Sequence, residues 1–165
     1  MRPLGQLTPR KHFSPEVASK DTILRIYLSA RWGRRDEMRT HRETLIGMGH
    51  EVRSRWLDVE DSTDPQNAAM VDVEDVLDCT AFIGFTETPD VGYTTGGRHV
   101  ELGIAIARVH HVAIVGPAEN VFCSHPRVMR VESLEDAVRR FNERIEAELA
   151  ELRSEERRVG KECRL

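Results

Sequence analysis

The chain has 165 residues, 32% of them charged, and a formal net charge of -4 at neutral pH. That length fits one domain with a sizeable core. The lack of a global basic excess argues against a surface built for duplex nucleic acid, so any anion binding must be local.

No run approaches the roughly 20 apolar residues of a membrane span, and the opening MRPLGQLTPRKHFSPEVASKD lacks the apolar core of a secretory signal. The sequence therefore reads as cytoplasmic, with no membrane partner. Cys79, Cys123 and Cys163 are odd in number and lack metal-type spacing, which suits reduced thiols. His110, His111 and His125 form no metal pattern either, and no metal is expected.

Residues 1–21, with Pro3, Pro9 and Pro15 among polar neighbours, have no hydrophobic period and read as a flexible leader. From Thr22 short apolar runs alternate with helical patterns: TILRIYL, RRDEMRTHRETLIGMG, HEVRSRWL, NAAMVDVEDVLD, TAFIGF, GRHVELGIAIAR and HVAIVG. Strand and helix in strict alternation predict an α/β fold, a parallel sheet wound on both faces. Gly47 and Gly49 are expected to close the first helix. A fifth strand near VMRV precedes a long amphipathic helix, where Ser133 and Asp136 resemble a capping box and Leu134, Ala137, Val138, Phe141, Ile145 and Leu149 form a core-facing stripe. The stretch RSEERRVGKECRL loses this pattern, so residues 154–165 read as a non-native or disordered tail after a domain spanning 22–153.

In such sheets ligands bind beyond the C-terminal ends of the strands, and three segments meet that condition. The first is YLSARWGRRDEM, where Tyr27, Ser29, Arg31, Gly33, Arg34 and Arg35 lead into a helix. Arginines at a helix start oppose the macrodipole unless an anion sits there, which favours a phosphate or carboxylate site. The second is MVDVEDVLDCTAFIGF, whose Glu74, Asp75 and Asp78 are expected to be a wet helix face. The third is PDVGYTTGGRHVELG, where Asp90, Gly92, Gly96 and Gly97 form a glycine loop and Glu101 is expected in the first turn of the next helix. There the dipole lowers a carboxylate's pKa and suits a nucleophile or cation stabiliser; a plain capping acid is the competing reading. No GxGxxG or P-loop pattern is present, so no cofactor is implied.

Together YLSAR, the Asp72 segment, GGRHVELG and GPAENVF resemble the nucleoside 2-deoxyribosyltransferase family, in the branch of deoxynucleoside 5′-monophosphate N-glycosidases found in actinobacteria and their phages. The resemblance runs from about Ile23 to Val138 and implies a five-stranded doubly wound, Rossmann-like or flavodoxin-like domain. It implies cleavage of the N-glycosidic bond of 2′-deoxynucleosides or their 5′-monophosphates, with the sugar passed through a deoxyribosyl-enzyme to water or another base. In that light Glu101 matches the nucleophile, Tyr27 its positioning tyrosine, and Asp72 the acid that contacts and protonates the base. Thr80 stands where many members carry a second Asp, and Asp90 sits near a further family acid. Asn120 falls in a loop that reaches a neighbouring subunit's pocket in some relatives, so a homodimer or higher homo-oligomer is implied. Arg31, Arg34, Arg35 and Arg98 favour a 5′-monophosphate. Two rivals stand beside this reading: a nucleotide-binding module that does not cleave, and an enzyme splitting the N-riboside bond of NAD. Residues 59–68 are expected to form a flexible lid.

Overall fold

The computed structural model describes residues 22–59, 64–91 and 96–162. The expected leader, Gly92, Cys163 and residues 60–63 of the expected lid lie outside the described residues. The strands are β1 (Arg25–Ser29), β2 (Glu51–Val52), β3 (Ala81–Phe85), β4 (His111–Val115) and β5 (Val128–Val131). The helices are α1 (Arg35–Gly47), α2 (Pro65–Asp78), α3 (Gly97–Arg108) and α4 (Leu134–Glu162). The five strands pair in the order β2-β1-β3-β4-β5, all parallel, which is the flavodoxin-like order. The alternation of strand and helix patterns thus yields the doubly wound α/β sheet expected of it.

The two faces separate along β1. Ile26 and Leu28 point to one side and pack with Met38 and Leu45 of α1 and with Leu134, Val138 and Phe141 of α4. Tyr27, one residue out of phase, points to the other side with Phe82, Val76 of α2 and Leu102 and Ala105 of α3. Burial of these apolar residues, at roughly 25 cal/mol per Å², holds the helices on the sheet. Glu101 and Ser29 share the α2/α3 side.

Three expectations about the elements change. HEVRSRWL is not one strand: β2 holds 2 residues, and Arg55–Asp58 turn into a 3-10 helix. Side chains finish what that strand leaves undone. Leu28 N–H donates to the Ser54 hydroxyl at 2.8 Å, and the Trp56 indole donates to the Leu28 carbonyl at 2.9 Å.

The expected lid is helical from Pro65 onward. Asp64 caps α2 by accepting from Gln66 and Asn67 N–H, each at 3.0 Å, with Pro65 in the first turn.

The expected tail is helical too, since α4 runs on to Glu162, although every side chain from 151 to 158 is exposed. Its Glu, Arg and Lys are strong helix formers, so propensity carries the helix past its last core contact. At the end of α1 it is Gly49, with φ 87°, that reverses the chain; its N–H donates to Ile46 O and that of His50 to Leu45 O, while Gly47 is still helical. Half of the capping box forms as expected: the Ser133 hydroxyl accepts from Asp136 N–H at 3.1 Å, while the Asp136 carboxylate accepts from Glu132 N–H, one residue before the cap.

Candidate active site

Strand order reverses at β1, between β2 and β3, so a crevice opens beyond the C-terminal ends of β1 and β3. Ser29, the last residue of β1 and 1% exposed, sits at its floor. Its hydroxyl donates to Glu101 Oε2 at 2.5 Å, joining residues 72 positions apart. Glu101 is the fifth residue of α3, in the second turn rather than the first. Its neighbours Leu102 and Ala105 are packed against the sheet, and its carboxylate goes down with them.

Depth also decides how Glu101 titrates. Burial pushes its carboxyl up to about 6, against hydrogen bonding from Ser29 and the positive charge of Arg98, and the negative charge of Asp72 adds to the rise. The expected lowering by the helix dipole is overturned, because desolvation outweighs the favourable partners at this depth. At neutral pH the group is still mostly ionised, and it is more basic than an ordinary glutamate.

Tyr27 lies beneath it, fully buried and stacked on Phe82 with ring centroids 5.9 Å apart. Its hydroxyl is buried with no partner of hydrogen-bond geometry. Burial raises its pKa first, then the charges of Glu101 and Asp72, which places the phenol in the field of both carboxylates. Asp72 is half-buried on α2; burial and the charge of Asp75 raise its pKa, and Arg55 opposes them. Ser29, Tyr27, Asp72 and Glu101 thus form one electrostatic unit, with Arg98 at its edge.

No protein-family model matches the sequence, and no curated protein matches it. Among solved structures, a CMP N-glycosidase of Clostridium botulinum, BcmB, is similar at 19% identity. The pairing covers 72% of this chain and 98% of that one, with a TM-score of 0.46.

The remaining candidates divide. Arg34 is committed: it forms two hydrogen bonds to Glu37, at 2.6 and 2.7 Å, and lies 3.4 Å from Glu87. Arg35 stacks over the exposed Trp32 ring at 4.5 Å and donates to the Val59 carbonyl. Arg31 makes one long contact, 3.4 Å, to the Val91 carbonyl. Gly33 lies in the 3-10 turn between β1 and α1.

Gly96, at φ 85°, starts α3 with no side-chain cap, and Gly97 is its first residue. An L side chain would be strained at Gly96. Asn120 accepts from Phe122 N–H at 2.9 Å, capping the short turn after β4. Thr80 sits at the opposite, N-terminal end of β3, bonded to Arg25, and Asp90 is exposed.

Asp75 is not wet. It is 5% exposed and accepts from Arg55 N–H at 2.8 Å and from the Arg55 guanidinium at 2.7 Å. The residue that pattern alone passed over is Glu119, which ties Arg98, His99 and the loop after β3 together. Its signal was available in GPAENVF, an acid just after the Gly116 turn at the end of β4, though nothing local names its partners. Among the described residues no group of His, Cys, Asp and Glu is placed to hold a metal ion, and no helix is long and apolar enough to cross a membrane.

Proposed function

We propose that this chain is an N-glycosidase or deoxyribosyltransferase acting on 2′-deoxynucleosides or their 5′-monophosphates, with Glu101 as nucleophile. The observation that carries this reading is the part-buried Glu101 carboxylate, held through Oε2 by Ser29 at the C-terminal end of β1 and in the field of Asp72. A carboxylate beneath C1′ stabilises an oxocarbenium-like transition state and can bond to it, as in retaining glycosidases.

Glu101 Oε1 attacks C1′ as the C1′–N bond breaks. The electron pair goes to the base nitrogen, which takes a proton from Asp72, whose raised pKa suits an acid. The deoxyribosyl-enzyme is then resolved when water, or the nitrogen of a second base, attacks C1′, returns a proton to Asp72 and frees Glu101. Ser29 fixes the attacking carboxylate and Tyr27 lines its approach; Gly96 and Gly97 let the chain pass close to the sugar. A homodimer, with Asn120 in the loop facing the partner, completes the reading.

Chromatography of free base after incubation with deoxynucleosides, their 5′-monophosphates, ribonucleotides and NAD tests it. Base release from deoxy substrates that disappears in Glu101→Ala is expected; release that persists in Glu101→Ala would falsify the assignment. Release from NAD alone, or binding with no release from any substrate, would move the chain to one of the rival classes.

A further inference from the structure

Asp75 and Arg55 form a pair beside Asp72 that has no part in the chemistry above. Asp75 follows Asp72 on α2 at the i, i+3 spacing that sets two side chains next to each other on a helix. It is 5% exposed, whereas Glu74 and Asp78 around it face solvent. A carboxylate at that depth needs a partner, and Arg55 supplies two bonds: its N–H donates to Asp75 Oδ2 at 2.8 Å and its Nε to Oδ1 at 2.7 Å.

The Arg55 side chain is 55% exposed and comes from the 3-10 turn after β2, so packing alone does not hold it. Its Nη2 donates to Glu74 at 3.1 Å and reaches the Val71 carbonyl at 3.5 Å. None of these bonds goes to Asp72, although the cation is close enough to act on it. An arginine free to swing along the helix would pair with Asp72, and a carboxyl paired with a guanidinium gives up its proton at lower pH. That is the wrong state for a group that must deliver a proton to a leaving base. Of the other titratable groups facing Asp72, Asp75 on α2 and Glu101 on α3 are negative and Tyr27 on β1 is a neutral phenol. Among the described residues, Arg55 is thus the cation that acts on Asp72.

We propose that Asp75 is a positioning residue: it pins Arg55 away from Asp72 and so keeps Asp72 protonated for the leaving base. The role of Asp72 rests on the glycosidase reading; the pinning of Arg55 does not.

NMR titration of the Asp72 carboxyl carbon, assigned with Asp72→Asn, tests this without turnover. Asp75→Asn keeps an oxygen for the Arg55 N–H but removes the charge, and should lower the Asp72 midpoint. Arg55→Gln should raise it, because the N–H of residue 55 still bonds Asp75 while the cation is gone. The double variant should regain most of what Asp75→Asn loses. A plain structural clamp would cost stability in both single variants and leave the Asp72 midpoint where it is. Unmoved midpoints, shifts of the same sign in both single variants, or a double variant as low as Asp75→Asn overturn the proposal. Should Asp75→Asn fail to fold, Arg55→Gln decides alone, and a midpoint that stays or falls overturns it.

Base release supplies a second readout. Above the titration of both Asp72 and Glu101, the rate follows the fraction of Asp72 still protonated, so at pH 8 Asp75→Asn should lose on the order of tenfold and the double variant should recover it. Shifted midpoints in a chain that releases no base would sink the glycosidase reading and spare the pinning of Arg55; base release with unmoved midpoints would do the reverse.

Discussion

Replacing Glu101 with Gln should stabilise the protein at pH 7 while abolishing its turnover. Burial raises the Glu101 carboxyl from 4.5 to about 6, so the folded state binds the proton more tightly than the unfolded chain does. The stability this proton contributes is complete below about 4.5 and is lost as pH rises through about 6. At pH 7 the ionised side chain costs about 2 kcal/mol relative to a glutamate titrating normally, since one pKa unit corresponds to about 1.4 kcal/mol. Glutamine keeps an oxygen to accept the Ser29 hydroxyl and carries no charge to desolvate. Urea unfolding at pH 7 should move to a midpoint higher by about 1 M if m is near 2 kcal/mol/M, and the two proteins should converge by about pH 4. Parallel stability curves across that range, or a variant less stable at pH 7, would show that the buried carboxylate is not under this penalty.

The same pKa sets a limb in the rate. A nucleophile works deprotonated, so kcat/KM for base release should rise with pH through about 6. Ser29→Ala removes a hydrogen bond that lowers the Glu101 pKa, so the limb should move upward by about one unit with an activity loss of about fivefold at pH 6; an unmoved limb would separate the titrating group from Glu101. Asp75→Ala strips the acceptor from Arg55 N–H inside the α2 packing and should cost about 2 kcal/mol in urea unfolding. A loss below about 0.5 kcal/mol, the range of ordinary surface changes, would restore Asp75 to the wet face.

The sheet was legible because each strand is a short apolar run and each helix an amphipathic one, and both signals are local. Glu101 was legible as the lone acid on an apolar helix face. Its titration was not, because the dipole is a property of its own helix whereas desolvation comes from Ser29, Tyr27 and Phe82 on other strands. Asp75 resembles its exposed neighbours Glu74 and Asp78 in sequence, and Arg55 binds Glu74 as well, so only its burial and the bond from the Arg55 N–H, 20 residues away, tell it apart. The arginines after β1 suggested a cationic cradle until Glu37, three residues on in the first turn of α1, claimed Arg34. HEVRSRWL carries a strand's composition, yet its backbone pairs with β1 only as far as Ile26, and Leu28 is met by the Ser54 and Trp56 side chains instead.

That substitution of side chains for ladder has a bearing on how the chain behaves in company. The outer edge of a sheet is a template for foreign strands, since its N–H and C=O groups stand in a row and any extended segment can add to them. Here the β2 edge is only 2 residues long, and beyond it Leu28 of β1 is buried, with its N–H and carbonyl already bonded to a hydroxyl and an indole. An incoming strand finds too short a row to bind. The fold thus offers a foreign strand little purchase on this side, and the two side chains that close it are the same ones that bond the residue next to Ser29 on the floor of the crevice.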